Sequence, residues 1–85
     1  YAELAPILDP ACATLGRQGR AAALVDACTR LLADLGVDPT LRGVGVRAEH
    51  LDLLASEAMK QQRLLANNPR EINEADARRL YAAAL

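Results

Sequence analysis

The sequence predicts an all-α fold of about three to four helices, and three observations support that prediction. Alanine and leucine supply 18 and 15 of the 85 residues, and both residues favour helices. Only nine residues are β-branched, and phenylalanine and tryptophan are absent, so the side chains that strands prefer are scarce. Apolar residues also recur at intervals of three and four, the spacing that places them on one face of a helix.

The first sixteen residues predict two short helical segments. Residues 1–8 have the character of the last turns of a helix. Asp9 followed by Pro10 is a helix-start signal, because aspartate caps a helix and proline fits the first helical position. This pair is expected to open a short helix to about Leu15, which Gly16 ends.

The next element gives the clearest helical pattern, and we place it at about residues 19–35. Asp26 and Arg30 stand at positions i and i+4, so we expect them to form an ion pair. Gly36 ends the helix. Five apolar residues define the face that should be buried: Ala21, Leu24, Cys28, Leu31 and Leu35.

Two more helices are predicted in the second half, after a turn-rich connection at residues 38–46. The first of them, the third helix of the chain, runs over about residues 47–62 or extends to residue 66, and it must stop at or before Asn68 because a proline follows. Asn73 is expected to cap the last helix. The buried face of the third helix is predicted to comprise Leu51, Leu54, Ala55, Ala58 and Met59. That of the last helix is predicted to comprise Ala77, Leu80, Tyr81, Ala84 and Leu85.

The charge balance argues against a nucleic-acid partner and against a membrane-spanning role. Ten basic and eleven acidic residues give a net charge of −1, whereas a protein that neutralises several phosphates usually carries a basic excess. No stretch approaches the roughly 20 mostly apolar residues of a spanning helix. Cys12 and Cys28 are expected to be small buried hydrophobes, with a single disulfide as the alternative.

No motif combines the residues that a catalytic centre needs. The one histidine, His50, is expected in an exposed first turn and lacks the convergent ligands of a metal site. Gly43–Ala48 matches the dinucleotide pattern G-x-G-x-x-A, but no strand precedes it, so its glycines are expected to serve a tight turn. Ser56 and Lys60 are more simply an exposed helix pair than a nucleophile and its base.

We therefore predict no catalytic, cofactor-binding or metal-binding residue in this chain. The acidic residues Glu71, Glu74 and Asp76 are expected to favour the start of the last helix. Arg70 lies in a loop, where its guanidinium is expected to play a structural role, either capping a helix C-terminus or bridging to a carboxylate.

The second half of the chain contains several short motifs in order, which read LGVDPTLR, GV, NPRE, EAD and LYAAAL. In this order they resemble the C-terminal region of iron-containing (group III) alcohol dehydrogenases. That family typically ends with an L-G-x-P-T-x-L-x-x-x-G-V segment, a helix, an N-P-R loop and a last helix of the type E-D-x-x-x-L-Y-x-A-A. The positions that carry the resemblance are Pro39, Gly45, Asn68, Pro69 and Arg70. The connection at residues 37–39 is one residue longer than the family pattern.

The resemblance implies a two-domain parent enzyme with a dehydroquinate synthase-like fold. Residues 1–85 would be a single all-α segment, the C-terminal portion of its helical domain, and would support the metal site without catalysing a reaction alone. The parent would be a cytoplasmic oxidoreductase that uses iron, or another divalent metal, and NAD(P). Its ligands, one aspartate and three histidines, would lie upstream of Tyr1, and the segment's partner would be the remainder of the enzyme, with a homodimer left open.

Two other interpretations remain open from the residues alone. The first is a stand-alone helical interaction module that binds a partner helix in an apolar groove. The second is a small helix-turn-helix DNA-binding protein, which the net charge of −1 disfavours.

Overall fold

A computed structural model, which describes residues 1–85, confirms the all-α prediction. It contains five α-helices, and three short 3₁₀ turns join them, with no strand. No helix combines the length and the apolar character that crossing a membrane requires. The chain divides into two compact units, Tyr1–Asp38 and Pro39–Leu85. The α-helices are α1 (Ala5–Leu8), α2 (Arg17–Asp34), α3 (Leu51–Met59), α4 (Gln62–Ala66) and α5 (Glu74–Ala84).

The first unit has a small core made of short side chains. Ala2, Ala5 and Cys12 are almost fully buried where α1 packs against the following 3₁₀ turn and against α2. Asp9 caps that turn, since its Oδ1 accepts a hydrogen bond of 3.3 Å from the backbone N–H of Ala11. The predicted helix after Asp9 is thus a 3₁₀ helix, Pro10–Thr14, and not an α-helix.

The glycines on either side of α2 have different roles. Gly16 was expected to end the preceding helix, but it is the N-cap of α2, with an extended backbone (φ −64°, ψ 170°). Gly36 ends α2 as predicted, in the left-handed region (φ 69°) that favours glycine. The Gly36 and Val37 N–H groups donate to the carbonyls of Ala33 and Leu32, each at 3.0 Å, which completes a Schellman motif.

The predicted buried face of α2 is wrong over its C-terminal half. Cys28 is exposed, and Leu31 and Leu35 are 53% and 66% exposed. The half-buried residues are Ala23, Leu24 and Ala27, together with residues 19, 20, 21 and 32. The physical reason is length. An 18-residue helix is about 27 Å long, and the four-residue α1 with one turn is too short to cover it.

The ion pair predicted within α2 is also replaced by another one. Arg30 Nη2 lies 3.7 Å from Asp9 Oδ2, at the cap of the 3₁₀ turn, and Asp26 has no ion-pair partner. Arg30 therefore links α2 to the turn that packs on it. Both side chains remain partly exposed, so this link contributes little to stability.

The second unit is built on the packing of α3 against α5. Ala55 on α3 and Ala77 on α5 are buried to 1% and 5% exposure, and these small side chains allow the two helices to approach closely. Leu51 is also buried, and Leu54, Ala58 and Met59 are half-buried, which confirms the face predicted for the third helix.

The third helix is shorter than predicted. A 3₁₀ turn, Ala48–His50, precedes α3, and the helix ends at Met59. Gln61 then leaves the helical region (φ −85°, ψ 58°), and the chain re-forms a single turn of helix as α4. The bend turns the leucines of α4 toward the same groove that α5 lines. The predicted stop before Asn68 is confirmed, because α4 ends at Ala66.

Candidate functional site

The loop that contains Pro39 and Gly45 holds the end of the last helix through its backbone. The N–H of Leu41 donates to the carbonyl of Ala84 at 2.8 Å, and that of Arg42 donates to Leu85 O at 3.2 Å. These two bonds satisfy acceptors that a helix C-terminus otherwise leaves open. We call this arrangement the backbone clamp. Because both bonds join backbone groups, the pattern of side chains in the sequence does not predict the backbone clamp.

Gly45 has the conformation that the tight-turn interpretation expects. Its φ is 89°, in the left-handed region, and its N–H donates to the carbonyl of Arg42 at 3.0 Å. The preceding Gly43 donates its N–H to Thr40 Oγ1 at 3.2 Å. A 3₁₀ turn, Arg42–Val44, precedes Gly45 where a dinucleotide site has a β-strand, so these glycines shape the loop.

The N-P-R loop, residues 68–70, follows α4 and is held by side-chain amides. Asn67 Nδ2 donates to the carbonyl of Arg63 at 3.0 Å and so caps the end of α4. Asn68 Nδ2 donates to the carbonyl of Arg70 across Pro69. The Arg70 side chain is exposed and forms neither the cap nor the carboxylate bridge considered for it. The loop is therefore shaped by its asparagines.

His50 has a role in helix initiation that the sequence did not reveal. Its Nδ1 accepts a hydrogen bond of 3.0 Å from the backbone N–H of Arg47, the residue that begins the 3₁₀ turn before α3. A donor bonded to Nδ1 places the proton of the neutral imidazole on Nε2. Nε2 lies 3.8 Å from Glu49 Oε1, which is an ion-pair distance only when the ring is protonated. His50 is thus a capping residue.

The start of α5 is fixed by a reciprocal cap, as predicted from Asn73. Asn73 Oδ1 accepts from the N–H of Asp76 at 2.8 Å, and Asp76 Oδ2 accepts from the N–H of Asn73 at 3.1 Å. The hydrogen bond from Asn73, together with the Arg79 guanidinium, lowers the pKa of Asp76 below its ordinary value. The carboxylate form is therefore the one that holds the helix start.

The charged side chains of the second unit mostly satisfy one another. Arg78 Nε on α5 donates to Asp52 Oδ1 on α3 at 2.5 Å. Lys60 Nζ donates to Glu57 Oε1 at 2.6 Å, so the lysine once considered as a base for Ser56 has an acidic partner instead. Only the Arg78–Asp52 pair joins α3 to α5, and because both side chains are exposed it orients the two helices weakly.

The side chains that could bind metal are dispersed. No three histidine, cysteine, aspartate or glutamate side chains come together as a potential metal site. Cys12 is buried, as predicted, whereas Cys28 is exposed, which corrects the expectation that both are buried; both are free thiols. The donor set of this chain does not fit an iron centre of three or four ligands.

An apolar groove lies between α4 and α5 in the second unit. Its volume is about 490 Å³. Leu64 and Leu80 stand on its walls at 69% and 61% exposure. Leu80 and Ala84 were predicted to lie on the buried face of the last helix, and both are exposed. We call this concavity the α4–α5 groove, and its lining includes Ala58, Leu64, Leu65, Ile72, Leu80 and Tyr81. Large leucines exposed together in a concavity are typical of an interaction surface.

Comparison with known proteins gives a family match along the whole chain. Residues 1–85 match the sequence profile of the Fe-containing alcohol dehydrogenase family, C-terminal. The chain is 42% identical over 60 residues to long-chain-alcohol dehydrogenase 1 of Geobacillus thermodenitrificans (strain NG80-2). This match covers 71% of the chain but only 15% of that relative. No solved structure matches significantly.

Proposed function

The chain belongs to the Fe-containing alcohol dehydrogenase family, and on that premise we propose that it forms the C-terminal helical part of an NAD(P)-dependent alcohol dehydrogenase or aldehyde reductase. The observation that carries the proposal is the family match over residues 1–85. The identity to a long-chain-alcohol dehydrogenase supports the same reaction class. Because the chain spans only 15% of that relative, the activity belongs to the proposed full-length enzyme.

Within that enzyme, residues 1–85 would act as one architectural segment of the helical domain. The contacts that suit this role are the backbone clamp, the reciprocal cap on α5 and the close α3–α5 packing at Ala55 and Ala77. They hold helices in fixed positions without presenting reactive groups. The positions Pro39, Gly45, Asn68, Pro69 and Arg70 would serve the loops that connect these helices.

The iron and the nucleotide would be held by residues outside this chain. In such an enzyme the metal acts as a Lewis acid on the substrate oxygen, and the nicotinamide carries the hydride. What this chain would contribute is rigidity behind the elements that hold those groups. In the proposed enzyme, residues outside this chain would bind the metal and the nucleotide, and residues of this chain would hold those binding elements in position.

The test is an activity assay on the full-length product of the gene that encodes this chain. We expect alcohol-dependent reduction of NAD⁺ or NADP⁺, lost after metal removal and restored by Fe²⁺. The isolated 85-residue chain is the matched comparison and should be inactive under the same conditions. Full-length protein that is folded, metal-loaded and inactive on a panel of short and long alcohols and aldehydes would refute the proposed reaction class.

A stand-alone helical interaction module is a second candidate, and the α4–α5 groove is the observation that favours it. The two candidates differ in the sequence that precedes Tyr1 in the gene. The dehydrogenase proposal expects an aspartate followed four residues later by histidine, two further histidines, and a glycine-rich nucleotide loop further back. A start codon directly before Tyr1 would favour the module.

A further inference from the structure

We infer that the α4–α5 groove is filled in the full-length enzyme by the apolar face of a helix from another part of the same polypeptide. This inference rests on the proposed function, since it needs a parent chain longer than these 85 residues. Two of the exposed large apolar side chains of the second unit, Leu64 and Leu80, line the groove. Its walls are the single helical turn α4 and the longer helix α5, and a groove between helical elements is a geometry that accepts a further helix.

The chemistry of the groove selects a helix over a small-molecule ligand. A ligand pocket combines apolar walls with a few polar groups that fix the orientation of the ligand. Here the lining polar groups are the Asn68 amide, whose Nδ2 already donates to the carbonyl of Arg70, and the Tyr81 hydroxyl. The remaining lining is aliphatic. A volume of about 490 Å³ suits several aliphatic side chains from one face of a helix.

The lining of the groove points to an occupant with an apolar contact face. None of the residues that line it carries a charge. An acidic or basic contact face would find no charged partner inside the groove, whereas an apolar helix face matches its aliphatic walls. The occupant is therefore recognised by buried apolar area, which is the dominant favourable contribution to most protein association.

The length of the relative supports an occupant from the same polypeptide. The matched segment is 15% of the long-chain-alcohol dehydrogenase, so a parent chain of that size supplies many helices in covalent reach. Linkage within one chain replaces a bimolecular association by an intramolecular one with a high effective concentration. A groove that is open in this segment is then closed without a second protein or a second copy.

The experiment measures how fast a thiol placed in the groove reacts with a maleimide. Leu64→Cys is made in the 85-residue chain and in the full-length protein, with Cys28→Ser in both backgrounds, and modification is read on the individual peptide by mass spectrometry. Gln62→Cys is the matched control, because Gln62 is exposed on the same helix and does not line the groove. Leu80→Cys gives an independent second probe from α5, which guards against misfolding of one variant.

We expect Leu64→Cys and Leu80→Cys to react on the order of tenfold or more slowly in the full-length protein, because modification then requires local opening. Gln62→Cys should react at similar rates in both proteins. Equal rates for Leu64→Cys in both proteins would overturn the inference. So would equal slowing of Gln62→Cys, or rates in the 85-residue chain that fall as its concentration rises, which would identify a second copy as the occupant.

The same full-length sample separates this inference from the proposed function. Protected groove thiols without dehydrogenase activity would sustain the filled groove and refute the reaction class. Dehydrogenase activity with freely reactive groove thiols would support the reaction class and refute the filled groove.

Discussion

Replacing Asn73 by alanine tests how much the reciprocal cap contributes to the second unit. The substitution removes Oδ1, which accepts the 2.8 Å hydrogen bond from the N–H of Asp76. The reverse bond, from the Asn73 N–H to the Asp76 carboxylate, is made by the backbone and remains available. One donor in the first turn of α5 therefore loses its protein partner, while the apolar packing of α5 on α3 is unchanged.

The expected loss of stability for Asn73→Ala is about 1 kcal/mol, within the range of about 0.5–2 for N-cap asparagines. For a chain of this size each kcal/mol lowers the midpoint of thermal unfolding by about 4–8 °C. The loss stays at the modest end because Asn73 is exposed, so water can reach the freed N–H.

Urea unfolding of the 85-residue chain, followed by circular dichroism at 222 nm, measures this loss. Asn73→Ser is the matched control, since a serine hydroxyl caps a helix about as well as an asparagine. We expect the serine variant to unfold near the wild-type midpoint and the alanine variant at lower urea. Equal midpoints for the alanine and serine variants would refute the reasoning that the side-chain acceptor stabilises α5.

Three further predictions concern the second unit. Because hydrogen bonding and Arg79 lower the pKa of folded Asp76, their stabilisation is present above its unfolded pKa and is lost as pH falls through the folded value. Asp76→Asn should therefore flatten the acid limb of a plot of urea midpoint against pH, and an unchanged limb would contradict this. Gly45→Ala should cost about 1–2 kcal/mol by urea unfolding through its φ of 89°, since no atom lies within 4 Å of the added Cβ. A double-mutant cycle on Asp52 and Arg78 should give a coupling of about 0.2–1 kcal/mol that salt weakens, and a larger, salt-independent coupling would show the pair is not solvent-screened.

The elements that sequence predicted well are those with strong local signals. Asn73 and Gly36 mark helix ends through capping chemistry that depends on neighbouring residues alone. Ala55 and Leu51 lie on a face that helical spacing defines, and the partner helix α5 is close enough to bury it. Local propensity and tertiary packing agree at these positions, so the residues alone predict the structure there.

The features that the sequence did not predict depend on tertiary packing or leave no local sequence signal. Leu31 and Leu35 have helical spacing, yet they are exposed because the first unit offers too little surface to cover α2. The bend at Gln61 contains neither proline nor glycine, so no local signal marks it. The cap made by His50 and the backbone clamp on α5 are hydrogen bonds to backbone groups of other residues. Helical spacing and turn motifs give no information about such bonds.

In the candidate site, too, local features could be predicted from sequence and features that depend on tertiary packing could not. The family motifs lie in the loops around Gly45 and Asn68, where glycine permits a left-handed backbone and proline restricts φ, and both effects are local. The α4–α5 groove could not be predicted, since it depends on the bend between α3 and α4, which places the leucines of α4 opposite α5 across an open space. The predicted burial of Leu80 failed for the same reason: its helix face is apolar, but the concavity beside it is open.

The most direct test of the central claim compares iron content in the full-length protein and in the 85-residue chain. Both are purified under anaerobic conditions with Fe²⁺, desalted and measured by elemental analysis. We expect stoichiometric iron in the full-length protein and only trace iron in the 85-residue chain, whose side chains assemble no group of three metal donors. Stoichiometric iron in the 85-residue chain would contradict the claim that this segment supports the metal centre without binding the metal.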